Sequence, residues 1–176
     1  MKPWMTALAT MAVLLAATPA GATDDLLIVR YPASAPTLGT TIRGSSASTF
    51  SISTAGVVTR TSGNAIRLTS ASVTPPTVYI YCGDSSACRN RNVRVQIQPT
   101  GSAGPATISR LRVGGLYGGA YASGSAPPDA ASLTFDLVPI GRNSYVSFRL
   151  GMDVLLAANA AGGPHNFNYA ISASFR

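Results

Sequence analysis

The residues best suited to chemistry in this chain are Cys82, Cys88, the Gly83-Asp84-Ser85 stretch between them, and His165, which is the one histidine. A serine nucleophile needs a general base and an acid that orients it. His165 has no aspartate near it in sequence, and Asp and Ser commonly form turns. The stretch therefore favours a turn over a hydrolase site. A small hydrolase that depends on Ser85 is the weakest of the alternatives.

The two cysteines predict a structural disulfide. Cys82 and Cys88 make an even count, which favours a bridge in an exported chain. The pattern predicts that the bridge closes the tip of a hairpin between strands near 77–82 and 92–98. Apart from the two cysteines, the side chains that could bind a metal are too scattered along the sequence to predict a metal site. The six aspartates are likewise too dispersed to predict the pair of carboxylates that a glycosidase needs. We therefore predict a non-enzymatic protein with no catalytic, cofactor or metal site.

Residues 1–22 have the pattern of a secretory signal peptide. Lys2 supplies the positive charge, residues 4–17 are apolar, and Ala20-Gly21-Ala22 fits signal peptidase. The alternative is a retained membrane anchor, for which the apolar stretch is short. Cleavage before Thr23 predicts export to the periplasm, the outer-membrane surface or the extracellular space. No stable membrane span is expected afterwards.

The composition of residues 23–176 favours a single all-β domain. The segment has no glutamate and no lysine, so the usual helix-forming surface residues are missing. Its twelve arginines and six aspartates leave a net charge of +6. Most arginines are widely separated, with only Arg89, Arg91 and Arg94 clustered, so no nucleic-acid partner is predicted.

Alternating apolar residues mark the end of the chain as a strand with one buried face. They are Phe167, Tyr169, Ile171, Ala173 and Phe175. Similar short patterns separated by Gly, Pro and Ser predict a β-sandwich. The Gly-rich stretch 114–124 is expected to be a surface loop or a Gly-rich hairpin, and 155–161 would also allow one helical turn. Strands are predicted at 26–31, 48–54, 56–61, 65–69, 77–82, 92–98, 107–113, 133–138, 145–150, 153–157 and 165–175.

Residues 145–175 resemble the C-terminal pattern of the DUF4402 family of exported bacterial proteins. The shared pattern is a strand, a glycine (Gly151) before an apolar strand, an Asn-Ala-Ala-Gly turn at 159–162, and an alternating last strand. The same end is similar to chaperone–usher pilins, which are fimbrial subunits. Their hallmarks here are the penultimate aromatic residue, Phe175, and a glycine fourteen positions from the end, Gly163.

The pilin resemblance implies an immunoglobulin-like sandwich that lacks one strand and assembles by strand addition. Gly163, Phe167, Tyr169, Ile171 and Phe175 would belong to the assembly strand. A periplasmic chaperone and like subunits would be the partners, and residues 23–35 would be the donated segment. The two faces of that segment are formed by Leu26 with Ile28, and by Leu27 with Val29 and Tyr31.

Two features depart from the pilin pattern. Many pilins join their first two strands with a disulfide, whereas Cys82 and Cys88 close a local loop. Arg30 would also place a charge on the face that Leu26 and Ile28 share.

A self-contained sandwich that binds a glycan or a surface partner is the alternative function. The exposed aromatic residues would then be Tyr79, Tyr81, Tyr117 and Tyr121. The competing explanation is that these tyrosines pack between strands.

Overall fold

A computed structural model describes residues 25–69, 72–101 and 105–176, so the predicted signal peptide lies outside the described residues. The regular secondary structure of the described chain is almost all β-strand, in antiparallel sheets, which confirms the predicted all-β fold class. Its one helix, α1 (Ala87–Asn90), has four residues, and no described helix is long and apolar enough to cross a membrane. The strands are β1 (Leu26–Tyr31), β2 (Thr41–Ile42), β3 (Ser48–Ile52), β4 (Val58–Ser62), β5 (Ile66–Arg67), β6 (Thr77–Cys82), β7 (Val93–Pro99), β8 (Ala106–Tyr117), β9 (Leu133–Leu137), β10 (Ser144–Leu156) and β11 (Tyr169–Phe175).

The strands form two main antiparallel sheets around one core. The larger has six strands in the order β1-β6-β10-β3-β4, with β8 on the other edge of β10; the smaller has the order β11-β7-β9, and β2 and β5 form a separate pair. Alternation selects the buried faces: Val93, Val95 and Ile97 of β7 are fully buried. Phe135 of β9 meets Phe148 of β10 edge-to-face at 5.6 Å between ring centroids. This contact joins the two sheets.

The Cys82–Cys88 disulfide is present, with the Cα atoms 5.8 Å apart. The predicted hairpin around it is wrong, because β6 belongs to the six-stranded sheet and β7 to the three-stranded sheet. Both strands have an apolar face, and placing them in opposite sheets turns both faces toward one core. The bridge and α1 therefore close a crossover between sheets.

Strand β10 is longer than the sequence predicts. Two strands, at 145–150 and 153–157, were expected around Gly151, but the structure has one continuous strand. A Cβ atom at Gly151 would lie 2.8 Å from the carbonyl oxygen of Ile52 and 2.8 Å from Cγ of Arg112. Gly151 therefore allows neighbouring strands to approach closely and does not form a turn.

Strand β8 is also longer than the predicted strand at 107–113, because it continues through Tyr117 into the Gly-rich stretch 114–124. Residues 118–124 lie beyond this strand. Leu155 and Leu156 pair with β3 and β8 as part of β10, in agreement with the strand predicted at 153–157 and not with the alternative helical turn. Pairing on both edges of β10 outweighs local sequence preference here.

We expect Gly151→Ala to destabilise the fold by about 1–3 kcal/mol, because the added methyl group would overlap the backbone of β3. Urea unfolding would measure the change. Gly83→Ala is the matched control, since its Cβ atom would lie 3.7 Å from the nearest atom, an ordinary contact distance. Equal stability of the two variants would contradict this account of Gly151.

Candidate assembly edge

Strand β11 has a pairing partner on one side only within the described chain. It pairs antiparallel with β7 from Tyr169 opposite Pro99 to Phe175 opposite Val93. The strand begins at Tyr169, so the predicted start at 165 is too early. The preceding segment turns toward another part of the chain, because the N–H group of Phe167 donates to the carbonyl oxygen of Pro36. Phe167 itself is buried in the core.

The register shows which backbone groups of β11 are unpaired. Asn168 accepts a hydrogen bond from Thr100, and the N–H group of Arg176 donates to Asn92. Because an antiparallel strand alternates between its two edges, even-numbered residues point their backbone groups at β7. The N–H and C=O groups of Ile171, Ala173 and Phe175 therefore face outward, and none has a backbone partner among the described residues.

The edge of β1 lies opposite this free edge. Gly83 donates its N–H group to the carbonyl oxygen of Asp25, so the odd-numbered residues of β1 pair with β6. The backbone groups of Leu26, Ile28 and Arg30 consequently face outward. The two edges border an open cleft. Its lining residues are Ile28, Arg30, Thr100, Tyr169, Ala170 and Ile171.

Apolar side chains along both edges are only half covered. Leu26 and Ile28 of β1, and Ile171, Ala173 and Phe175 of β11, pack against the core but are only partly buried. Polar backbone beside half-buried apolar side chains is the arrangement that a further strand would complete. The structure thus combines the two requirements for strand addition at one edge.

An arginine lies over an aromatic ring at each end of β11. The Arg30 guanidinium lies 5.5 Å from the ring centroid of Tyr169, and one of its N–H groups donates to the Tyr169 carbonyl oxygen at 3.4 Å. At the other end, Arg91 lies 6.0 Å from the ring centroid of Phe175. Burial raises the pKa of the Tyr169 hydroxyl, and Arg30 acts in the opposite direction. Arg30, whose charge departs from the pilin pattern, therefore lines the cleft beside Tyr169.

The structure brings together only some of the predicted site residues. Tyr169, Ile171 and Phe175 share β11, but Gly163 exchanges backbone hydrogen bonds with Thr41, outside this strand. The predicted donor segment contains β1, which lies at the edge of its own chain's larger sheet. The side chains of Leu27, Val29 and Tyr31, on the outer face of that sheet, are exposed.

Sequence reasoning missed an ion cluster that anchors β11. Arg94 donates to Asp136 at 2.9 Å, and Arg176, directly after β11, donates to the same carboxylate at 2.7 Å. These hydrogen bonds hold the pKa of the Asp136 carboxyl below its ordinary value of 3.8. In the sequence, Arg94 and Asp136 each alternate with apolar residues, and this pattern was the available signal. Their proximity depends on the pairing of β7 with β9, which places Arg94 opposite Asp136.

The side chains considered for catalysis make local contacts. The Ser85 hydroxyl accepts a hydrogen bond from the N–H group of Ala87 at 3.2 Å, in the turn before α1. Nε2 of His165 lies 2.9 Å from the carbonyl oxygen of Ala161. Across residues 25–69, 72–101 and 105–176, no group of three or more His, Cys, Asp or Glu side chains could hold a metal ion.

Comparison with known proteins found no matching family model, no similar curated protein and no similar solved structure.

We expect the contribution of Asp136 to stability to depend on acid pH. Because its pKa is lower in the folded state, this contribution is present above the unfolded-state pKa and is lost as pH falls through the folded-state value. Urea unfolding of the wild type and Asp136→Asn would show a difference near pH 7 that shrinks as the pH falls below the ordinary carboxyl range. Asp84→Asn is the control, because Asp84 is 75 % exposed and 3.7 Å from Arg142. A pH-independent difference would contradict the assignment.

Proposed function

We propose that this chain is an exported, non-enzymatic structural subunit that assembles by β-strand addition, as pilins do, on an immunoglobulin-like sandwich. The free edge of β11 carries the proposal, since Ile171, Ala173 and Phe175 combine outward-facing backbone groups with half-buried side chains. The disulfide and the sequence of residues 1–22 support export to the periplasm or the cell surface.

An added strand would gain in two ways at this edge. Its backbone would pair with the outward N–H and C=O groups of β11, which gives affinity. Its alternate side chains would cover Ile171, Ala173 and Phe175, and the burial of that apolar surface gives further stability. A half-covered strand edge such as this one is a site of uncontrolled pairing with other chains unless a partner covers it.

Residues 23–35 of a like subunit are the proposed donor. In the structure, β1 pairs along its length with β6 of its own chain. Donation to another copy therefore requires β1 to leave β6, so assembly exchanges one set of backbone hydrogen bonds for another. We propose that a periplasmic chaperone protects the edge of β11 before that exchange.

We expect Ile171→Asp and Phe175→Asp to abolish assembly, because each places a carboxylate among the side chains that the added strand covers. The measurement is the oligomeric state of residues 23–176, by light scattering and by SDS gel without boiling. An SDS-resistant ladder is expected for the wild type and for Ser172→Asp, which puts the same charge on the exposed face of β11. Circular dichroism would verify that all variants are folded. A strictly monomeric wild type would refute strand exchange between copies.

Locking β1 onto β6 tests the identity of the donor. Ile28 lies opposite Ile80 in a pair without mutual hydrogen bonds, the closer type of antiparallel pair, so cysteines at both positions can form a bridge. We expect the oxidised Ile28→Cys/Ile80→Cys variant to remain monomeric and each single variant to form the ladder. A ladder from the fully oxidised double variant would mean that another segment is donated.

A further inference from the structure

Four tyrosines form a continuous aromatic surface on the outer face of the six-stranded sheet. Tyr79 and Tyr81 come from β6, Tyr117 from β8 and Tyr145 from β10, and we call this set the tyrosine platform. Tyr145 is central, with ring centroids 5.4 Å from Tyr81, 6.0 Å from Tyr79 and 6.4 Å from Tyr117. The platform lies on a sheet face, separate from the free edge of β11.

Strand register places the four rings together. Tyr145 lies opposite Tyr81, and Ser147 lies opposite both Tyr79 on β6 and Tyr117 on β8. The sequence-based set for a glycan surface included Tyr121, which does not belong to this face. The Tyr121 hydroxyl is buried, and its ring packs edge-to-face with Phe135 at 5.7 Å. Tyr145, absent from that set, takes its place.

The tyrosine platform is accessible and its polar groups are unused. Tyr117 is 67 % exposed, and Tyr81 and Tyr145 are each 39 % exposed. None of the four hydroxyls has a hydrogen-bond partner in the part of the chain that the structure describes. A contiguous exposed apolar surface on a folded domain is a mark of interaction sites. Flat rings with hydroxyls at their rims offer both a stacking face and hydrogen-bonding groups.

Arg149 gives this face an uncompensated positive charge. It lies two residues beyond Ser147 on β10, so its side chain leaves the same face of the sheet. Arg149 is exposed and has no ion-pair partner among the described residues. The nearest carboxylate along this face of β10, Asp153, is neutralised by Arg112 at 2.6 Å and by Arg110 at 4.0 Å. An anionic ligand therefore meets an unpaired cation beside the tyrosine platform.

We propose that the tyrosine platform with Arg149 binds an anionic polysaccharide. The apolar faces of successive sugar rings stack on Tyr117, Tyr145 and Tyr81, and the tyrosine hydroxyls exchange hydrogen bonds with the sugar hydroxyls. A carboxylate of the polysaccharide pairs with Arg149. The charge complementarity and the unpartnered hydroxyls favour this ligand over an apolar protein surface, which would leave both groups unsatisfied. The inference goes beyond the proposed assembly function.

Affinity gel electrophoresis tests the proposal, with polygalacturonate as the anionic probe and dextran as the neutral probe. Running at about 0.15 M salt suppresses long-range attraction to the basic protein. We expect polygalacturonate to retard the wild type and dextran to have little effect. Tyr117→Ala, Tyr145→Ala and Arg149→Gln should each weaken the apparent affinity about tenfold. Arg43→Gln, which removes an exposed arginine elsewhere, should match the wild type.

Three results would overturn the proposal. The wild type could show no retardation by polygalacturonate. Arg43→Gln could weaken binding as much as Arg149→Gln, which would indicate non-specific attraction to net charge. Tyr117→Ala and Tyr145→Ala could leave retardation unchanged while altering the oligomeric state seen by light scattering without polysaccharide, which would identify the face as a protein contact. Ile171→Asp, which targets assembly at β11, should still be retarded by polygalacturonate and not by dextran, because the tyrosine platform remains intact in the unassembled subunit.

Discussion

The packing around β10 is the constraint on which the rest of the structure depends. This strand pairs with β6 and then β3 along one edge and with β8 along the other, and most of its residues are buried. Such a strand must be long, continuous and free of obstruction at its centre. Gly151 meets that requirement, because a side chain there would overlap the backbone of Ile52. The strand also supplies Phe148, whose contact with Phe135 joins the two sheets.

The arrangement around β10 leaves the two sheets open at the same side. Among the described residues, β1 ends the larger sheet and β11 ends the smaller, and these two edges border one cleft. A self-contained sandwich would cover these edges or place charges along them. Here the charges stand at the two ends, where Arg30 and Arg91 lie over Tyr169 and Phe175. The middle of β11 keeps its backbone and apolar side chains available, which is why we assign assembly to this edge.

The pairing of arginines with aspartates differs between this edge and the outer face of the larger sheet. Asp136 holds Arg94 and Arg176 on the smaller sheet, and Asp153 holds Arg112 on the larger one. With only six aspartates and no glutamate in the chain, few arginines can be paired in this way. Arg149 lacks an ion-pair partner within the described residues, and it lies on the face that bears the tyrosine platform. Assembly and ligand binding are therefore proposed for different surfaces of one small domain.

The all-β class, the disulfide and the buried faces of strands such as β7 and β11 can be predicted from the sequence, because alternation and the cysteine count are local properties. Tertiary structure alone decided that β6 and β7 lie in different sheets, that Gly151 sits within one long strand, and that Tyr145 joins the platform in place of Tyr121. Each of these depends on which strands become neighbours. Alternation specifies the face that a strand buries, but pairing between distant strands is settled by packing both apolar faces into one core.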